Sequence, residues 1–280
     1  MGQISLGRTT TKFVPLPAEL GRTANYKFDE NKPIRDVPYV PTPEHVVQEM
    51  IRQADVSERD VVYDLGCGDG RIVIAAAELR GARGVGVDID PERIEQSKHN
   101  AIRAGVSDRV QFIIGSAFKA PINDATVVAL YLLPWMTATL RPRLLEELRP
   151  GTRIVAHQFP LGHWSPDRVT RLKDDRVVYL WTVPADVKGT WQCTLRTPDR
   201  ALRHGTLVLE QEYQAFVGIA MLDGREWQLD ATMLTGDRMS FAIGDVTYHC
   251  HVAGGSIRGM GHRSDGSGTF ELRARHESAR

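Results

Sequence analysis

The most constraining stretch of this chain is Asp64-Leu65-Gly66-Cys67-Gly68-Asp69-Gly70, set between the apolar run Val61-Val62-Tyr63 and the helix-forming residues from Arg71 onward. Three alternating glycines let a backbone turn sharply and approach a ligand without Cβ clashes. Downstream, Val85-Gly86-Val87 leads into Asp88, a carboxylate about 20 residues beyond the loop, at the end of the next apolar run. A strand, a glycine loop, a helix and a second strand imply a parallel sheet whose ligand sits outside the carboxyl ends of the strands. At that place Asp88 suits an acceptor for ribose hydroxyls.

The pattern continues on both sides of this segment. Pro15, Pro17, Pro33 and Pro38 punctuate residues 1–40, which read as an extended arm. Thr42-Pro43-Glu44 then opens a helix, with Thr42 as the expected N-cap and Pro43 at the first helical position. Arg71 to Leu79 reads as helix, Gly84 to Ile89 as strand, and Asp90-Pro91 caps a helix that Gly105 ends. Val110–Ile114, Thr126–Leu132 and Thr152–Gln158 read as further strands, and Met136 to Leu148 as a helix kinked by Pro142. The expected fold over residues 41–175 is therefore α/β, a doubly wound, mostly parallel sheet. Residues 176–280 carry short alternating runs broken by turn dipeptides such as Asp223-Gly224 and Asp265-Gly266, which predicts a smaller all-β antiparallel barrel or sandwich. The boundary is blurred, because Arg176–Leu195 can also supply the last antiparallel strands of the first sheet.

Charge narrows the ligand. A nicotinamide dinucleotide fingerprint spaces its glycines G-x-G-x-x-G and points a helix N-terminus at pyrophosphate. Here the third glycine follows after one residue, and Asp64 and Asp69 bring negative charge to the loop. Carboxylates suffer beside a phosphate and suit a cation. S-adenosylmethionine carries an ammonium and a sulfonium and no phosphate, and it is the expected cofactor.

The same residues resemble motif I of the class I S-adenosylmethionine-dependent methyltransferases. The resemblance implies that Asp64, Gly66, Gly68 and Gly70 hold the methionine part, that Asp88 takes the ribose hydroxyls and that Ile89 lies against adenine. The family usually places an acid after the third strand for the adenine amino group. This sequence has Gly115-Ser116-Ala117-Phe118 there, so Ser116, with Ala117 or a backbone group, serves instead. A finer likeness rests on Tyr39-Val40-Pro41-Thr42-Pro43, on Asp69 to Ala77, and on Gln158-Phe159-Pro160 with His163-Trp164. These are similar to lysine methyltransferases of the mitochondrial ATP synthase c-subunit type and their bacterial relatives, in which the Tyr-Val-Pro segment folds over the cofactor. That makes Tyr39 and Thr42 candidate lid residues.

On the acceptor side, Tyr131-Leu132-Leu133-Pro134-Trp135 offers no side-chain acceptor of the kind that opens an Asp/Asn-Pro-Pro-Tyr motif, which disfavours an adenine-amine or glutamine acceptor. Tyr131 and Trp135 are read as an aromatic wall, or as packing at a strand end. His157 is the candidate base, the alternative being a hydrogen-bonded structural histidine. Cys67 reads as a small loop side chain. His249 and His251 share a face of their strand but make two ligands at most, and Cys193 and Cys250 stand far apart, so no metal is expected. Thirty-five basic residues offset thirty-five acidic ones, so no bulk attraction to nucleic acid is expected. No apolar run is long enough to span a membrane. The expectation is a cytoplasmic enzyme with a protein lysine or small-molecule acceptor, or an exported one if a targeting segment precedes it; oligomeric state is open. The competing readings are a non-catalytic binding protein whose β half carries the function, and a nicotinamide oxidoreductase.

Overall fold

The computed structural model describes residues 39–278, so almost all of the expected arm at 1–40 lies outside the described residues. Helix α1 (Glu44–Gln53) leads into β1 (Val61–Leu65), α2 (Arg71–Arg80), β2 (Arg83–Asp88), α3 (Pro91–Arg103), β3 (Val110–Ile114), β4 (Val127–Leu130), α4 (Pro134–Glu147), β5 (Arg153–His157), β6 (Arg168–Arg171) and β7 (Val177–Thr182). These strands form one seven-stranded sheet in the order β3-β2-β1-β4-β5-β7-β6. β1 to β5 run parallel, while β7 lies antiparallel to β5 and to β6. Every residue of β1 and β4 is buried, as expected of strands covered on both faces. Val62, Val127, Ala129 and Val155 pack with α1 and α2 on one face. Leu65, Val128, Leu130 and Ile154 pack with Met136, Leu140 and Leu144 of α4 on the other. The chain order reverses between β1 and β4, and the strand ends on either side of that switch build the site.

Three expectations change. Thr42 does not cap α1: the helix starts at Glu44 after an extended Pro43 (ψ 148°), and no side chain caps it. The Thr42 hydroxyl is instead 3.4 Å from Nδ1 of His157, while its carbonyl accepts from Arg71 at 2.9 Å. Helix α4 begins two residues early, with Pro134 in its first turn, where a missing N–H costs nothing, and it runs through Pro142 to Glu147. The first sheet also extends past residue 175. β7 joins β5, the alternative left open for the start of Arg176–Leu195, so the change of sheet falls between Thr182 and Gly189; alternation in sequence does not record which neighbour a strand pairs with.

The rest is a barrel and not a sandwich. β8 (Gly189–Arg196), β9 (Leu202–Glu212), β10 (Ala215–Leu222), β11 (Arg225–Thr235), β12 (Arg238–Ile243), β13 (Val246–Ala253), β14 (Ser256–Arg263) and β15 (Thr269–His276) close on themselves, β15 pairing with β8. Alternate residues of β13 are buried and exposed along its length, and Trp191, Phe241, Tyr248 and Leu272 help fill the interior. Asp223 and Gly224 both take positive φ (50° and 77°), the geometry that lets a two-residue turn follow the twist of its strands. Cys250 is buried inside, while His249 and His251 point outward, His251 against Asp237 at 2.7 Å. No group of three or more potential metal-ligating side chains occurs among the described residues.

Candidate active site

The glycine loop leaves β1 and is fastened at once to β2. The backbone N–H groups of Gly66 and Cys67 both donate to the Val87 carbonyl, at 2.8 and 3.0 Å. Gly66, Gly68 and Gly70 have φ of 88°, 54° and 80°, a region that side chains disfavour. A Cβ on Gly68 would stand 2.3 Å from the ring of Tyr39, and one on Gly70 would stand 2.7 Å from Phe112. Gly68 thus leaves room for the Tyr39 ring, and Gly70 for helix-to-sheet packing.

Helix α3 supplies braces that the sequence reading missed. Ser97 Oγ donates to the Gly68 carbonyl at 2.8 Å, and Asn100 Nδ2 donates to the Asp69 carbonyl at 2.9 Å. Both are polar residues on a helix face whose other members, Ile94 and Ala101, are apolar and buried, and that interruption was the available signal. Arg71 was missed as well. Its guanidinium grips Asp69 through two hydrogen bonds, of 2.9 and 2.6 Å, and reaches Thr42. Burial alone would raise the Asp69 carboxyl, but the Arg71 hydrogen bonds and charge outweigh it and hold Asp69 low. Arg93 lies 4.0 Å over the Tyr39 ring.

Asp64 is in the opposite condition. It is 2% exposed, and burial, followed by the charges of Asp88 and Asp69, pushes its carboxyl up to about 8. Asp88 accepts from Gly68 N–H at 2.8 Å and from Asp90 N–H at 3.0 Å, one bond to each carboxylate oxygen. Each oxygen keeps further acceptor capacity. Ile89 stays 38% exposed beside it. Ser116 Oγ accepts from Phe118 N–H at 3.3 Å, and Ala117 is buried behind it. A buried carboxyl raised by two neighbouring carboxylates fits a ligand that brings positive charge and does not fit a pyrophosphate.

The segment after β4 adjoins this loop, for a Cβ on Gly66 would meet the Leu132 side chain at 2.8 Å. The ring centroids of Tyr131 and His157 are 4.0 Å apart, and Phe159 also stacks on Tyr131, at 6.4 Å and tilted by 12°. Trp135 stacks on Phe118 at 6.3 Å. His157 is buried, and burial, with the nearby Arg176 charge, pulls its pKa down to about 4, so it is neutral at physiological pH. Burial and the charges of Asp64 and Asp88 push the Cys67 thiol upward, away from nucleophilic use. The structure therefore gathers Tyr39, Thr42, Asp64, the three glycines, Asp88, Ile89, Ser116, Ala117, Tyr131 and His157 around the ends of β1, β2, β3, β4 and β5.

Comparison with known proteins decides the class. A family model described as the ANTKMT methyltransferase domain matches residues 64–168. A protein-lysine N-methyltransferase of Saccharolobus islandicus is 45% identical over 151 residues, which are 52% of this chain and 94% of that relative. The chain belongs to the class I S-adenosylmethionine-dependent methyltransferases. The human lysine N-methyltransferase of the ATP synthase c-subunit is 34% identical over 134 residues, 48% of this methyltransferase and 57% of the human one. Among solved structures, an RNA methyltransferase of Salinibacter ruber in complex with S-adenosyl-L-homocysteine is 53% identical with a TM-score of 0.52, covering 53% of this chain and 96% of that one. S-adenosylmethionine is the cofactor. About half of this methyltransferase accounts for nearly all of the Saccharolobus and Salinibacter proteins.

Proposed function

We propose that this methyltransferase methylates the ε-amino group of a lysine in a protein. The observation that carries this is the acceptor-side wall of Tyr131, Phe159 and neutral His157, which has no amide or carboxylate opening the residues after β4. A planar base amine wants acceptors there. A lysine wants aromatic faces for its cation and an apolar surround that lowers its pKa, since only the neutral amine attacks. The names of the relatives at 45% and 34% identity support the same acceptor.

Within this reading Asp64 and the glycine loop hold the amino-acid part of the cofactor, Asp88 the ribose, and Ile89, Ser116 and Ala117 the adenine. Tyr39 and Thr42 close over it. When bound, the cofactor supplies an electrophilic methyl on a sulfonium. Tyr131 and Phe159 orient the amine and keep water away. With its pKa near 4, His157 is a weak proton sink, and its role is to fix the Tyr131 ring and leave the incoming cation unopposed. The chain divides functionally into this module and the barrel. A cytoplasmic location belongs to the same proposal; among the described residues no helix is long and apolar enough to cross a membrane.

The name of the Salinibacter relative favours a second acceptor, RNA. Incubation with methyl-labelled S-adenosylmethionine, a host extract split into protein and RNA fractions, and acid hydrolysis of the labelled product separates the two. Methyl-lysine in the protein fraction is the expected result. Label confined to RNA overturns the lysine assignment.

A further inference from the structure

The chain leaving β5 makes an unusually tight turn. Phe159 N–H donates to the His157 carbonyl at 2.8 Å, which leaves Gln158 between them with φ of 66°. A non-glycine residue seldom adopts that conformation, and it persists where the surroundings over-determine it. One side of the restraint comes from β7. Gln158 N–H donates to the Val177 carbonyl at 2.7 Å, and Val177 N–H donates back to Gln158 Oε1 at 3.3 Å. The turn sets the Phe159 ring across Tyr131, so its geometry is that of the acceptor wall.

The other side of the restraint comes from the barrel. Past the turn, Thr137 donates to the Pro160 carbonyl at 3.0 Å and Arg141 to the Leu161 carbonyl at 3.1 Å. Trp164 then enters the core, 1% exposed. Its indole N–H donates to Gln214 Oε1 at 2.7 Å, and Gln214 Nε2 donates back to the Ser165 carbonyl at 2.7 Å and to Asp167 Oδ1 at 3.2 Å. Tyr213 stacks on Trp164 at 5.7 Å, tilted by 12°, and carries the guanidinium of Arg141 at 5.8 Å from its centroid. Tyr213 and Gln214 are the tip of the β9–β10 hairpin. The hairpin therefore grips the segment that carries Phe159, together with the arginine that holds that segment from α4.

We propose that Tyr213 and Gln214 are positioning residues for methyl transfer, through which the barrel sets the acceptor wall at Phe159 and Tyr131 and so tunes acceptor binding. The inference rests on the acceptor reading above. A protein with room for the sheet alone must hold the same segment by other means, so the barrel gives this chain a determinant of acceptor choice of its own.

The test uses the full chain with Gln214→Leu, which keeps the size and removes the hydrogen bonds, with Tyr213→Ala, and with Tyr213→Phe, which keeps the ring. Three quantities are measured: affinity for S-adenosylhomocysteine by calorimetry, amide exchange of peptides spanning 157–166, and kcat and KM for poly-L-lysine. In Gln214→Leu and Tyr213→Ala, exchange across 158–164 speeds up and acceptor KM rises about tenfold, the scale of a buried hydrogen bond or an aromatic pair. Cofactor-product affinity stays unchanged, and Tyr213→Phe behaves as wild type. Unchanged exchange over 158–164 overturns the proposal. So does a loss of S-adenosylhomocysteine affinity in step with the rise in KM. If wild type leaves poly-L-lysine unmethylated, the extract labelling decides the lysine reading, and the exchange and affinity measurements still decide the role of the hairpin. Should Tyr213→Ala fail to fold, Gln214→Leu decides alone.

Discussion

Asp64 carries a definite pH signature. Its folded pKa is about 8 against an ordinary 3.8, so between those values the unfolded chain has given up a proton that the folded chain keeps. The stabilisation is complete below about pH 4 and is lost as pH rises through about 8. Thermal denaturation of the ligand-free protein should show this decline, and Asp64→Asn should flatten it. A cationic cofactor reverses the preference by favouring the carboxylate. Binding at pH 7 should then release a proton, visible as a buffer-dependent heat in calorimetry, and affinity should climb toward pH 8. A buffer-independent heat would remove Asp64 from the site. Asp88→Ala should weaken S-adenosylmethionine by about 1–3 kcal/mol, because charge-assisted hydrogen bonds to the ribose are lost. Part of that loss comes from the Gly68 N–H, which Asp88 also holds. Unchanged affinity would contradict the ribose assignment.

At the scale of the element, the glycines separate ligand binding from folding. Gly70→Ala drives a Cβ into Phe112 and Ser97, on a neighbouring strand and helix, whereas Gly68→Ala meets the ring of the half-exposed Tyr39. Both also carry the cost of a left-handed alanine, about 1 kcal/mol. Gly70→Ala should therefore lower the melting temperature more, and Gly68→Ala should mainly weaken cofactor binding. The reverse ranking would mean that the loop braces, not Tyr39, set the packing at Gly68. The elements themselves were legible because their periodicities are unmixed: Val61–Tyr63 and Val127–Leu130 are apolar runs and β13 alternates strictly. Thr42 was misread because a hydroxyl before a proline has two possible partners, and only the fold brings His157 within reach of one.

At the scale of the molecule, the barrel has a core of its own, distinct from those of the sheet. Phe241 is fully buried in it, and Phe241→Ala should cost about 3–5 kcal/mol of stability. S-adenosylhomocysteine affinity, measured by calorimetry below the melting transition, should stay the same, since no part of the barrel is assigned to the cofactor. A parallel loss of affinity would place the barrel inside the cofactor site.

Local rules sufficed for the sheet strands, the glycine turn, the capping of α3 by Asp90 and the charge that selects a cationic ligand. Each of these depends on residues adjacent in sequence or on a fixed short spacing. Barrel closure, the pairing of β7 with β5 and the grip of Gln214 on Trp164 were decided by the tertiary structure. The last of these joins residues 50 positions apart. A glutamine in a hairpin turn reads as solvated polarity in any sequence. Only the docking of that turn onto a buried indole, whose N–H must find an acceptor, makes it a brace on the segment that follows β5.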